Sequence, residues 1–338
     1  MNFDFDDDQR EIKRTAHDLL VARSSWERVR VAAESGSYDA SLWAELSDLG
    51  WPGIAIGEEH GGQGLCLVEL CVLLEELGYA GTATPLLSTA LAAVAIQEAG
   101  SSEQQAQWLP RLASGEITGA LGIADDGVGE LVPDAGDAAV IVLVEDGAAR
   151  LVTPESALIE PVAAIDPTRH FARVTARGGD PLPGDVDAAL DKAAVAVSAE
   201  LVGICQRALD MSVEYAKDRK QFDTPVGAFQ AVAHKCAQML KHTEGARAAA
   251  YHGAWAADAA PELLAEAASI AKAAASEAGR EVTASAIQVH GGIGFTWEAD
   301  VHWLFKRAQL DAAYLGGAGT HRRRLAALLA DRVAAARS

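Results

Sequence analysis

The sequence predicts a mainly α-helical protein with a small β domain between two helical regions. Three observations predict it: helix-forming runs over residues 1–117, strand-like alternation over 118–183, and long Ala-rich helical runs over 184–338. These limits define an N-terminal helical domain, a reduced middle β domain and a C-terminal four-helix bundle. A chain of 338 residues, 50% of them hydrophobic, can bury the core that such a division needs.

In the first region DDDQREIKRTAHDLLVAR carries an apolar stripe at helical spacing, SLWAELSDLG is stopped by Gly50, and LVELCVLLEELGYAG is stopped at Gly78 and Gly81. EEHGGQG is a loop. In the middle region AAVIVLVEDGAARLVTP reads as two strands about a Glu-Asp-Gly turn, and HFARVTA as a third. Beyond it Leu201, Ile204, Cys205, Ala208, Leu209 and Val213 mark the apolar stripe of one helix. Phe229, Val232, Cys236, Met239 and Leu240 mark the stripe of the next, after a break at Pro225 and Gly227. A third helix starts near Pro261 and runs to Gly291-Gly292, and a fourth carries HWLFKRAQLDAAYL. Their many small side chains predict close helix packing.

With 28 Lys and Arg against 48 Asp and Glu, the formal net charge of -20 argues against nucleic acid and anionic membranes as partners. The apolar run LLSTALAAVAIQ is too short to span a bilayer. MNFDFDDDQR lacks the basic and apolar parts of a secretory leader, and Cys66, Cys71, Cys205 and Cys236 form no CxxC pair, so a reducing cytoplasm is expected. No metal site is expected either, because the two-residue spacing of His234 and Cys236 puts their side chains on opposite helix faces, with His242 further on. Ser198, His234 and Asp210 share no motif that would make them a triad.

An anionic ligand must therefore be met locally. Cations cluster at Arg219-Lys220, Lys306-Arg307 and Arg322-Arg323-Arg324, and each cluster reads equally as a solvated helix end that complements the macrodipole. HGGIGF lacks the GxGxxG spacing and the strand-turn-helix setting of a dinucleotide fold. It reads as a helix stop using Gly for positive φ, whose exposed amides could still hold a phosphate.

Three segments together resemble the flavin-dependent acyl-CoA dehydrogenases: LGWPGIAIGEEHGGQG with LLEELGYAGTATPLLST, then RALDMSVEYAKDRKQFDTPVGAFQAVAHKCAQM, then AIQVHGGIGFTWEADVHWLFKRA. The likeness runs over nearly the whole chain and implies that family's fold. It implies further that Arg219, Gln221, Phe222, Gln230, Gln288, Gly291 and Gly292 clamp the adenosine diphosphate half of FAD across a subunit interface, the flavin being seated in the neighbour. These residue types suit the task. A guanidinium pairs with pyrophosphate, an aromatic face covers a ring, and glycine lets a ligand approach the backbone.

Two departures bear on catalysis. The reaction needs a carboxylate to remove the α proton while the flavin accepts the β hydride. Where the family carries Tyr-Glu-Gly-Thr, this chain reads Tyr314-Leu315-Gly316-Gly317-Ala318-Gly319-Thr320, and the earlier position used by some relatives falls on Ala193. Glu200 lies two turns beyond Ala193 on the same helix face, about 10 Å along the axis. It reads better as an interface or solvent-facing residue than as a base. The second departure is that IADDGVGELVPDAGDAAVIVLVEDGAARLV has neither the Gly-Ser-Asp turn nor the Trp-Ile-Ser/Thr strand of relatives that bed their own flavin.

These losses imply a subunit without catalytic residues of its own. It would share FAD at the interface with a full-length catalytic acyl-CoA dehydrogenase subunit, which binds most of the acyl-CoA substrate, with an electron-transferring flavoprotein as acceptor. The pattern resembles the shortened subunit of actinobacterial two-plus-two enzymes of steroid side-chain degradation, which implies a steroid-CoA thioester. Two alternatives stay open: a self-sufficient homo-oligomeric dehydrogenase with a relocated base, Glu200 or Glu298, and a flavin-free structural or regulatory helical protein.

Overall fold

The computed structural model describes residues 4–335. Six helices come first: α1 (Asp7–Arg23), α2 (Trp26–Ser35), α3 (Ala40–Asp48), α4 (Leu67–Ala80), α5 (Leu86–Ala99) and α6 (Ser102–Ala113). Seven strands follow: β1 (Gly119–Ile123), β2 (Val128–Pro133), β3 (Val140–Glu145), β4 (Ala148–Val152), β5 (Leu158–Pro161), β6 (Phe171–Thr175) and β7 (Asp180–Leu182). Then come α7 (Val186–Asp218), a small hairpin of β8 (Lys220–Gln221) and β9 (Thr224–Pro225), α8 (Gln230–Ala259), α9 (Leu264–His290), α10 (Val301–Ala313) and α11 (Ala318–Ala335). The last of these was not among the expected helices. Among the described residues no helix is long and apolar enough to cross a membrane.

The described residues cluster into two compact units, one of residues 23–73 and 83–193, the other of 4–22, 74–82 and 194–335. In the first, β1-β3-β4-β7 form one sheet and β2-β6-β5 another. The expected Glu-Asp-Gly turn joins β3 to β4 with Glu145 opposite Ala148, and its central Asp146 and Gly147 both have positive φ (50° and 77°). That matches the right-handed twist of the strands it joins. Ala120, Val132, Ile141, Leu143, Val152 and Val174 lie within the core of this β region. Beside it Asp134, fully buried, accepts from the hydroxyls of Tyr38 and Ser88, and burial raises its carboxyl despite nearby Arg169.

In the second unit small residues decide how closely helices cross. The helix of α4 runs through Gly78, which was expected to stop it, and ends before Gly81, whose φ is +64°. A Cβ on Gly78 would lie 2.1 Å from the Glu200 carbonyl oxygen, and one on Gly203 would lie 1.8 Å from that of Glu75. These glycines are crossing points where two backbones meet, and propensity arguments that treat glycine as a terminator miss that use.

Candidate functional site

The seven expected clamp residues lie on two segments next to helix ends. The first begins where α7 stops. The Arg219 amide still bonds the Tyr215 carbonyl (2.9 Å), and the Arg219 carbonyl then accepts from the Val226 amide (2.8 Å), closing the β8–β9 hairpin. Gln221 pairs with Thr224, so Phe222 and Asp223 form a two-residue turn, and both have positive φ (54° and 60°). Such turns favour Asn-Gly, because a Cβ at positive φ is crowded. Phe222 is held there with its side chain 90% exposed, and touches Phe229 edge-on at 6.5 Å between centroids. Strain and exposure at a bulky aromatic are typical of a residue kept for contact rather than for folding. Gln230 is the first residue of α8, whose N-cap, Phe229, makes no side-chain cap.

The second segment ends α9. Gln288 is exposed, and Gly291 leaves the helix at φ 66°, ψ -141°, a conformation that side-chain-bearing residues rarely adopt. A Cβ on Gly294 would meet the Ile287 carbonyl at 2.6 Å, so packing requires that glycine. Gly292 differs from both: its φ is unremarkable and a Cβ there would meet nothing within 4 Å. Neither fold nor packing explains why it is glycine.

The two segments are tied together by Tyr215, four residues before Arg219, which stacks on His290 at 4.5 Å and 27°. The His290 ring donates from Nδ1 to the Ala286 carbonyl (2.8 Å), and burial lowers its pKa, so the stack is made by a neutral ring. Beyond the glycines Phe295 and Trp297 are also largely exposed (79% and 69%). Lys306 lies over Trp297 at 4.1 Å and over Trp303 at 4.8 Å.

Positions considered for a base are different. Ala193 is fully buried, and so is Glu200, contrary to the expectation of an interface or solvent-facing residue. Glu200 faces Arg307 at 3.8 Å, and Arg307 also donates to the Thr82 carbonyl at 2.7 Å. Lys306-Arg307 is thus no solvated helix end. One cation is stacked on aromatics, and its neighbour forms a buried ion pair with Glu200. Glu298 is exposed, with its amide on Thr296 Oγ1 at 3.4 Å.

In the Tyr314–Thr320 turn Leu315 stands at φ 56°. Beneath it Lys272, fully buried, donates to Ser276 Oγ (2.9 Å) and to the carbonyls of Asp311 (3.0 Å), Ala312 (3.4 Å) and Gly316 (3.1 Å). His321 Nε2 donates to the Leu315 carbonyl at 3.0 Å. The role of Lys272 escaped the sequence reading. Its signal was a lone charge on the small-residue face formed by Ala268, Ala271 and Ala275. The apolar stripe that opens α8 departs from expectation as well: Met239 is buried, whereas Phe229 and Leu240 are 41% and 48% exposed.

The acyl-CoA dehydrogenase N-terminal domain matches residues 6–116, and the acyl-CoA dehydrogenase C-terminal domain matches residues 185–330. The chain is 38% identical over 311 residues to acyl-CoA dehydrogenase IpdE2 of Mycobacterium tuberculosis, covering 91% of this chain and 93% of that protein. Among solved structures, the ChsE4–ChsE5 complex of Mycobacterium tuberculosis superposes with a TM-score of 0.87 at 26% identity, covering 98% and 99% of the two chains. The Tcur3481–Tcur3483 steroid acyl-CoA dehydrogenase superposes with a TM-score of 0.86 at 28% identity, covering 97% and 99%. With a curated relative matched almost end to end and both helical regions recognised, this chain belongs to the acyl-CoA dehydrogenases, a family of FAD-dependent oxidoreductases.

Proposed function

We propose that this chain is the non-catalytic subunit of a heteromeric acyl-CoA dehydrogenase, and that its bundle end holds the adenosine diphosphate half of an FAD whose flavin is seated in a full-length catalytic partner. One observation carries the reading. The clamp residues are presented outward, with Phe222 strained and 90% exposed, whereas the base positions hold Ala193 and Leu315 and the candidate Glu200 is buried against Arg307.

The donor set fits the group. Arg219 supplies a guanidinium for pyrophosphate, Gln221, Gln230 and Gln288 supply amides for phosphate, ribose or ring edges, and Phe222 supplies an aromatic face. The open space over Gly292 admits a ligand close to the backbone, which explains a glycine that the fold does not need. The uncapped start of α8 adds favourable dipole potential for an anion. When bound, FAD supplies the hydride acceptor, with the acyl-CoA held mainly by the partner. Likeness to a steroid acyl-CoA dehydrogenase and to the two-component ChsE4–ChsE5 complex supports a steroid side-chain CoA thioester as the substrate class. An electron-transferring flavoprotein is the acceptor this reading implies.

Co-expression with full-length acyl-CoA dehydrogenases encoded nearby, followed by flavin stoichiometry, tests the proposal. One FAD per unlike pair is expected, with little on the chain alone. Arg219→Ala and Gly292→Ala should each lower FAD retention in the assembled complex. Gly292→Ala should do so with stability of the isolated chain unchanged within about 0.5 kcal/mol, since its Cβ meets nothing. A chain that purifies yellow and bleaches with acyl-CoA on its own would instead establish the self-sufficient dehydrogenase.

A further inference from the structure

Given the clamp proposed for this bundle end, we infer that Tyr215 and His290 are its positioning residues. Their stack sets the two clamp segments in one arrangement ahead of any ligand, so the chain alone binds adenosine diphosphate (ADP). Tyr215 touches both segments at once. Its carbonyl accepts from the Arg219 amide at 2.9 Å, which fixes where the hairpin leaves α7, and its ring lies on His290 at 4.5 Å and 27°. His290 is the last residue of α9, directly before Gly291. It is 8% exposed, and its ring is turned back along its own helix by the bond from Nδ1 to the Ala286 carbonyl (2.8 Å). The turn that follows closes on the same side chain, since a Cβ on Gly294 would come within 3.1 Å of the His290 Cβ. The imidazole is thereby held from three sides, by α7, by α9 and by the glycine turn.

Exposed chain flanks the stack on both sides: residues 217–223 on one, Gly292 and Ile293 on the other. Gly291 and Gly292 bring backbone freedom just where the second segment leaves its helix. Two segments free to move would both have to be ordered on binding, and that ordering weakens a complex. The stacked pair removes much of the cost, because it links the last turn of α7 to the last turn of α9 by contacts the chain makes with itself. Neither ring is offered to the ligand. Tyr215 is half-buried and His290 buried, so they act through Arg219 and Gly291 and not by touching a nucleotide. Burial also lowers the His290 pKa, so near neutral pH the ring is uncharged and leaves the phosphates to Arg219. ADP is the portion of the cofactor that these segments suit, pyrophosphate at Arg219 and a purine face at Phe222.

The test is calorimetric titration of the full chain alone with ADP, which the wild type should bind saturably. Tyr215→Leu and His290→Leu should each weaken binding about tenfold, the scale of one lost aromatic pair. The double variant should be no weaker than either single one, because both remove the same stack. Tyr215→Phe keeps the ring and should bind within about twofold of wild type. Amide exchange on the wild type gives a reading that needs no variant to fold. The Arg219 and Val226 amides, bonded to the Tyr215 and Arg219 carbonyls, should be protected before ADP is added and gain less than about twofold on its addition. Failure of the wild type to bind ADP, wild-type affinity in the Leu variants, or additive losses in the double variant overturns the inference. So does a loss in Tyr215→Phe equal to that in Tyr215→Leu, or protection that arises only with ADP. The clamp reading fails separately, through FAD retention in the mixed complex that Arg219→Ala leaves unchanged.

Discussion

Two stretches of the same helix are built for opposite purposes. From Ala193 to Cys205 every residue of α7 is buried, and the one carboxylate there, Glu200, is placed against Arg307. From Lys217 to Asp223 every residue is exposed, Arg219, Gln221 and Phe222 among them. The interior stretch uses charge to join helices, while the end leaves charge and an aromatic side chain exposed. A carboxylate in the first setting is a poor base, because it is sealed from solvent and leaves no room for a substrate. A guanidinium in the second is a ready anion site.

The sharpest way to break this contrast is inside. Arg307→Ala should leave Glu200 buried beside no guanidinium and cost about 3–5 kcal/mol, read from the denaturant midpoint. Glu200→Gln takes the carboxylate from a buried guanidinium that cannot shed its charge, and should cost a comparable amount. If both variants unfold at the wild-type midpoint, Glu200 is not a structural ion and the relocated-base reading regains its footing.

Lys272 gives the next effect. Burial pushes its pKa down to about 7 from 10.5, with Asp311 opposing and Arg280 assisting the shift. The folded chain therefore holds fewer protons than the unfolded chain between those values, so stability should rise with pH across that window. About 2 kcal/mol of that rise is expected between pH 7 and 9, and Lys272→Met should remove it. Parallel curves for wild type and variant would show that the carbonyls around the ammonium cancel the burial penalty.

The smallest effect lies at the exposed end. Phe222→Asn should stabilise the isolated chain by about 0.5–1 kcal/mol, because Asn tolerates positive φ, while lowering FAD retention in the complex. A loss of stability would mean that Phe222 is held for the fold, and the contrast between the two stretches would weaken.

Much of this molecule is legible in its residues. Alternating apolar runs about Asp146-Gly147 locate a hairpin, and the long Ala-rich runs locate α7, α8 and α9, because those signals are local. Glycine is ambiguous in sequence for a physical reason. Gly81 ends a helix through positive φ, Gly78 sits inside one so that another backbone can approach, and Gly292 serves neither need. The stripe of α8 shows the same limit. Spacing tells that Phe229 and Leu240 share a side of the helix, but burial depends on what the chain brings to that side.

By itself the sequence determined most of the helical and strand segments and the large negative charge, since each follows from local pattern or residue chemistry, whereas the clamp residues were expected only from the resemblance to the family. Only the tertiary structure decided that Glu200 is sealed against Arg307, that Lys272 lies under the Leu315 turn, and that Tyr215 and His290 draw two distant segments to one helix end. Those outcomes depend on contacts between residues far apart in the chain, and burial and pairing, not residue identity, set what a charged group can do.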